Sequence, residues 1–283
     1  MTDFAHVVLT RFNVRWHNDT HSEGLSNEWL TERIRLFETY CYPSLYQQTN
    51  PSFKWLVLLD SRSPDWLKEK MSDYAQWQNF VPVYLDVPLL PEELECPAEF
   101  KSAVSAHVPL SHTHLITTRI DSDDAISKDY VHRVQSCFAG QDSQGIVFPI
   151  GYQLHDGCLY LEYSKANHFT SLIESYRPDS IKTVFVKPHA FLYRVAPVRQ
   201  IWARPTWLEV VHGGNLGNYA KRGLMVSPED FQRRVASDLI PRRSLDTKTL
   251  RLRQVQFFTT GAPRYLMRKA VNRLKHHWFS RLC

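Results

Sequence analysis

The sequence predicts an α/β protein, an open mixed sheet flanked by helices, with its polar groups gathered where strands end. Three observations predict it. Apolar runs rich in β-branched residues alternate with segments of helical spacing through the first half of the chain. Three of those runs are closed by an aspartate: Asp60, Asp86 and Asp121. The central run, residues 114–124 (HLITTRIDSDD), stops abruptly in Asp121, Ser122, Asp123 and Asp124.

The elements follow in order. Residues 7–12 (VVLTRF) read as a first strand, with Arg11, Asn13 and Arg15 where it ends. Between Ser22 and Tyr42, Leu25, Trp29, Leu30, Ile34, Phe37 and Tyr40 recur at helical spacing, with Ser26 as N-cap and Pro43 just past the end. A polar break holding Gln47, Gln48, Thr49 and Asn50 leads to a buried strand over 54–59, then Asp60, Ser61 and Arg62. A short helix fits 64–77, a third strand 80–85, a proline-rich acidic loop 88–97 and a helix 99–109. After the central strand, 126–138 predicts a helix, and 145–154 with 158–163 predicts a hairpin turning at Asp156-Gly157. Residues 181–191 predict a further strand. Residues 207–218 (WLEVVHGGNLGN) run into a glycine-rich loop.

Bulk properties narrow the class. At 283 residues the chain holds one large α/β domain or about two smaller ones. No apolar stretch approaches the roughly 20 residues that span a bilayer, and the amino terminus has no secretory pattern. Five scattered cysteines without CxxC spacing argue against a disulfide framework or zinc site and for a reducing compartment. The net charge of +5 hides an asymmetry. Nine Lys or Arg and no acidic residue lie from 247 onward, leaving 25 basic against 29 acidic residues before it, a net of −4. With an acidic body and no nucleic-acid motif, DNA or RNA is not an expected partner.

Carboxylates at i and i+2 repel unless something positive lies between them, and Arg119 or a divalent cation can supply that charge. Oxygen ligands favour Mg²⁺ or Mn²⁺. Equally, Asp-Ser-Asp-Asp suits a solvated turn capping the helix expected from Ile126.

Taken together, PSLYQQT, the strand ending in Asp60, and the strand ending in DSDD about sixty residues later resemble the nucleotide-sugar half of a GT-A glycosyltransferase of the family 2 type, a Rossmann-like, nucleotide-sugar-binding sheet. RIDSDDAISKDYV, VFPIGYQL and WLEVVHGGN extend the likeness to about residue 220 and resemble the bacterial rhamnosyltransferase family. The resemblance implies a metal-dependent transferase moving a sugar, such as rhamnose, from a nucleotide-diphosphate donor to a cell-surface glycan or lipid-linked acceptor. It implies Asp121 on the ribose or base side, Asp123 on a Mn²⁺ or Mg²⁺ ion, and Asp124, counted with the catalytic groups, as a carboxylate either behind the metal ligand or on the acceptor side. Asp60 would contact the nucleoside, with Thr10, Arg11 and Phe12 as the opposite wall and Arg119 beside it. Arg62 stands where the family has a small residue.

Glu209 is the candidate general base, with Trp207 as a sugar platform and Asn215 as an acceptor contact; a strand glutamate exposed to solvent is the alternative. His212, beside Gly213 and Gly214, is either a second metal ligand or a surface histidine. The expected organisation is a GT-A domain over 1–245, with donor half 1–125 and acceptor half 126–245, and a basic amphipathic tail over 246–283. In residues 263–283 an apolar stripe (Tyr265, Leu266, Val271, Leu274, Trp278) runs among Arg and Lys. It predicts either an anionic membrane surface as partner, on the cytoplasmic face, or a helix packed on the domain. A nucleotidyltransferase or phosphohydrolase using the same aspartates, and a non-catalytic nucleotide-binding or membrane-associated module, are the rival classes.

Overall fold

The computed structural model describes residues 3–14, 23–86, 97–212, 223–227, 229 and 247–262. Arg15, the 88–96 stretch of the proline-rich loop, Asn215 with its glycine loop, and the stripe over 263–283 lie outside the described residues.

Among the described residues the strands form two sheets. β1 (Phe4–Arg11), β2 (Lys54–Asp60), β3 (Phe80–Leu85) and β4 (His114–Arg119) are mutually parallel, in the order β3-β2-β1-β4. Parallel strands buried on both faces read as continuous apolar runs, and β2 (KWLVLLD) is one. Trp55, Val57 and Leu59 face one core, Leu56 and Leu58 the other.

Helices α1 (Asn27–Leu36), α2 (Tyr42–Tyr46), α3 (Asp65–Tyr74) and α5 (Tyr130–Gln135) cover the first face through Leu30, Leu45, Met71 and Val131. The second face is covered by α4 (Ala98–Ser105) and by irregular chain carrying Ile181, Val184 and Leu192. Past β5 (Ala125–Ile126), the sheet gains β6 (Ser143–Val147), β9 (Thr170–Ser175) and β10 (Val198–Gln200). The second sheet has the order β12-β8-β7-β11-β5, with β7 (Ile150–His155), β8 (Cys158–Tyr163), β11 (Trp207–Val211) and β12 (Leu224–Val226). Helix α6 (Thr247–Gln256) is the last described helix.

Several expectations hold. Ser26 caps α1, accepting the Trp29 N–H at 3.3 Å. The β7–β8 hairpin turns at Asp156 and Gly157, whose φ values of 51° and 70° put both central residues in the left-handed region that suits the twist of paired strands.

Others are corrected. Pro43 does not end the first helix; it lies in the first turn of α2, where a missing N–H costs little. A π turn over Phe37–Cys41 joins the two, with the Tyr42 N–H bonded to Phe37 O. Residues 145–154 are two strands in different sheets, β6 and β7, because Pro149 has no ladder donor. The helix expected from 126 begins at Tyr130, after Ala125–Ile126 pairs with β11. Residues 181–191 form no strand, since the Lys182 and Thr183 N–H groups go to the buried Glu174 carboxylate, each at 2.9 Å. The strand β9 just before them was not anticipated.

One buried polar contact ties β1, β4 and α5 together. The His6 Nε2 lies 2.8 Å from Thr118 Oγ1, and the Gln135 amide lies 3.2 Å from Nδ1. Burial pushes the His6 imidazole down to about 3, so it stays neutral. Between its unfolded value near 6.5 and about 3, only the unfolded chain binds this proton, so stability falls as pH drops, by about 1.4 kcal/mol per unit. Urea denaturation at pH 7 and pH 5 should show wild type losing about 2 kcal/mol more than His6→Gln between the two. Equal losses would contradict the buried neutral imidazole.

Candidate functional site

The DSDD segment is the turn between β4 and β5, closed by the Asp124 N–H on Asp121 O at 3.2 Å. It caps no described helix; α5 starts six residues later, after Asp129. Its carboxylates are instead each gripped from elsewhere in the fold.

Asp121 receives Arg119 in two-pronged fashion, Nη2 to Oδ2 at 2.9 Å and to Oδ1 at 3.2 Å, with Arg11 Nη2 at 3.4 Å. Parallel pairing of β1 with β4 brings the two guanidiniums to one strand end. Burial opposes the Asp121 charge, but Arg119 and Arg11 outweigh it and hold the carboxyl well below the usual range. Burial and Arg119 in turn lower Arg11 to about 10.

Asp123 Oδ2 meets Arg33 Nη1 of α1 at 3.0 Å and His212 Nε2 at 2.8 Å. Asp124, fully buried, accepts the Val210 N–H at 2.8 Å and contacts His168 Nε2 at 2.6 Å. Burial, then Asp123, pushes the Asp124 carboxyl up to about 7. For His168, burial acts downward, yet Asp124 prevails and the imidazole is raised.

Glu209 is buried on β11, opposite Gln153 of β7, whose amide donates to Oε2 at 2.7 Å. It is not the solvent-exposed strand residue of the alternative. Trp207, expected as a sugar platform, is 1% exposed and belongs to the core. Its indole donates to Phe148 O at 2.8 Å and its ring stacks on Phe169 at 5.0 Å. Gly151 makes room for that ring, since a Cβ there would lie 2.0 Å from it.

Thr10 and Phe12 are also core. Thr10 Oγ1 accepts the Trp55 indole N–H at 2.9 Å, and Phe12 packs edge-on against Phe37 at 5.5 Å. Asp60 ends β2 almost fully buried, with Arg62 closed on it through Nη2 at 2.9 Å and Nε at 3.0 Å.

The structure adds groups that the sequence reading missed. His168 lies between β8 and β9, 44 residues from Asp124, beyond any local motif. Arg33 reads as an ordinary surface residue of an amphipathic helix. Phe185 lies under both Arg11 and Arg119, 5.5 and 5.8 Å from the guanidinium carbons, and His189 Nδ1 is 3.5 Å from Arg119. That wall is set by the strap after β9. Glu174 holds the Lys182 and Thr183 N–H groups, Thr117 Oγ1 accepts the Val184 N–H at 2.8 Å, and Thr183 takes φ 59°.

Asp121, Asp124 and His168 offer two carboxylate oxygens and an imidazole nitrogen within 4.8 Å of one another, a donor set compatible with a divalent cation. The sequence expected Asp123 with His212 in that role. Those two meet at 2.8 Å, and Arg33 reaches the same Asp123 oxygen.

An open, parallel-rich sheet with acidic and cationic groups at its strand ends is the edge at which α/β proteins bind ligands. Residues 9–223 match the sequence model of the family described as "Putative rhamnosyl transferase", and the chain belongs to that family. Comparison with curated proteins gives no match. Among solved structures, Staphylococcus aureus TarS 1–349 in complex with UDP-GlcNAc is similar at 12% identity and TM-score 0.45, over 81% of this chain and 63% of that one. The chain therefore spans less than two thirds of that relative. A "putative nucleotide-diphospho-sugar transferase" from Desulfovibrio desulfuricans G20 is similar at 12% identity and TM-score 0.35, over 73% and 82% of the two chains. A 4-diphosphocytidyl-2C-methyl-D-erythritol synthase from Anaerococcus prevotii is similar at 9% identity and TM-score 0.38, over 90% and 96%.

A glutamine in place of Glu174 offers one acceptor and one donor to two N–H groups. Glu174→Gln should therefore cost about 1–3 kcal/mol in urea denaturation. Unchanged stability would contradict the double anchoring of the strap.

Proposed function

We propose that the protein transfers a sugar, rhamnose by its family, from a nucleotide-diphosphate donor to a bacterial cell-surface glycan or a lipid-linked acceptor. The observation that carries this is the meeting of Arg11, Arg119 and Asp121 at the ends of adjacent parallel strands, the edge where open sheets bind nucleotides. Residues 1–125 supply most of the donor side and 126–245 the acceptor side.

In this reading Asp121, fixed by two guanidiniums, accepts hydrogen bonds from the donor's ribose. Phe185, beneath those guanidiniums, closes that wall. Asp60 and Arg62, one strand over, border the base. Asp123, tied to Arg33 and His212, holds α1 and the end of β11 against the turn. Asp124, Asp121 and His168 would hold a Mn²⁺ or Mg²⁺ ion, which when bound neutralises the leaving diphosphate. Glu209, fixed by Gln153, takes the proton of the attacking acceptor hydroxyl, the task an inverting transferase assigns to a carboxylate. Asn215 contributes on the acceptor side. A lipid-linked acceptor places the work at the inner surface of the membrane, as a peripheral protein; no described helix is long and apolar enough to cross a membrane.

The test is release of nucleoside diphosphate from a panel of nucleotide sugars, deoxythymidine-diphospho-rhamnose included, with and without Mn²⁺ and with bacterial lipid-linked glycan as acceptor. Wild type should turn over one donor. Glu209→Gln should keep that donor's affinity and lose transfer by roughly 10²-fold or more. Full activity in Glu209→Gln would remove it as the base. Turnover of nucleoside triphosphates in place of sugars would assign the site to a nucleotidyltransferase.

A further inference from the structure

The last helix among the described residues, α6, is apolar on two sides. One side docks on the second sheet. The Gln254 amide donates to Met225 O of β12 at 3.1 Å, and Phe257, in the π turn over Phe257–Gly261 that continues the helix, faces Leu161 and Leu224. The other side carries Leu252 and Val255, three residues apart on one helical face, with Phe258 at its edge. They are 62%, 60% and 64% exposed. A helix docked by one apolar stripe ordinarily shows water a polar one. This one shows water three large hydrophobic side chains within seven residues.

Their neighbours point to what covers them. Lys248, Arg251 and Arg253 are exposed around the stripe, and no Asp or Glu occurs from residue 247 to the end of the chain. A second copy packed α6 against α6 would set like charge against like. An anionic lipid leaflet offers both the apolar interior and the negative surface.

We infer that α6 is a membrane-docking surface: Leu252, Val255 and Phe258 enter the headgroup boundary of an anionic leaflet while Lys248, Arg251 and Arg253 lie along its phosphates. The inference rests on the membrane-surface part of the proposed function and moves the contact from the stripe over 263–283 to a helix seated on the catalytic fold. With α6 packed on β12, the edge strand of the second sheet, docking brings that sheet, which carries Glu209, to the surface where a lipid-linked acceptor lies.

The test is flotation of the full chain with vesicles of phosphatidylglycerol and phosphatidylethanolamine, against vesicles of phosphatidylcholine alone. The variants are Leu252→Glu with Val255→Glu, Phe258→Glu, and a chain ending at residue 262. All three substituted positions are exposed, so the thermal transition should not move. Wild type should float with the anionic vesicles only, less so as salt rises, and the double variant should bind roughly tenfold more weakly or worse. The chain ending at 262 should still float. A double variant that floats like wild type would overturn the role of α6 while leaving the membrane reading to residues 263–283. Wild type floating with neither vesicle would overturn both. A wild-type dimer that the double variant dissociates, without flotation, would overturn the lipid in favour of a second copy.

Discussion

Three carboxylates in one four-residue turn, two of them buried, cannot be held together unless the rest of the fold brings them positive charge. Taking one ionised carboxylate out of water costs several kcal/mol, and Asp123 and Asp124 are 5% and 0% exposed. The answer here is distributed. Arg119 and Arg11 come from adjacent parallel strands, Arg33 from the first helix, His168 from the loop before β9, and His212 from the end of β11. These five contributors therefore have an electrostatic reason to be where they are, and displacing one leaves a carboxylate of the turn without its partner.

The two ends of the turn are treated differently. Asp121, partly exposed and facing two guanidiniums, is held as an anion. Asp124, sealed under β11 and beside Asp123, is pushed towards neutrality and leans on His168. Pairs of titratable groups driven apart by their surroundings are characteristic of catalytic sites. The strap carrying Phe185 and His189 closes over the anionic end. Its left-handed Thr183 is a conformation the chain tolerates because Glu174 and Thr117 fix the backbone on either side of it.

Much of this was legible in the sequence, because periodicity and charge placement are local signals. The parallel strands announced themselves as unbroken apolar runs, the hairpin by Asp156-Gly157, and the site by aspartates at strand ends. The misreadings arose where tertiary structure overrides local pattern. Trp207 looked like a sugar platform because it stands next to the candidate base and just before a glycine-rich loop, yet Gly151, 56 residues away, lets its ring lie flat inside the core. Thr10 and Phe12 point inward because Arg11, on the opposite side of the pleat, points to the site. Residues 181–191 had strand composition, but the N–H groups of Lys182 and Thr183 were claimed by a carboxylate and that of Val184 by a hydroxyl. His168 and Arg33 carried no local signal at all, being joined to the aspartates only by the closing of the fold.

In the proposed function the guanidinium-braced Asp121 turn is where a nucleotide donor binds. Calorimetric titration of the free nucleoside diphosphates of uridine, guanosine and deoxythymidine, with and without Mn²⁺, into wild type and Asp121→Asn examines it directly. One nucleotide should bind wild type, more tightly with Mn²⁺, and roughly tenfold or more weakly in the variant, whose amide can no longer serve as a charged acceptor for the ribose. Equal binding by both proteins, or no binding of any nucleotide by folded wild type, would contradict the claim.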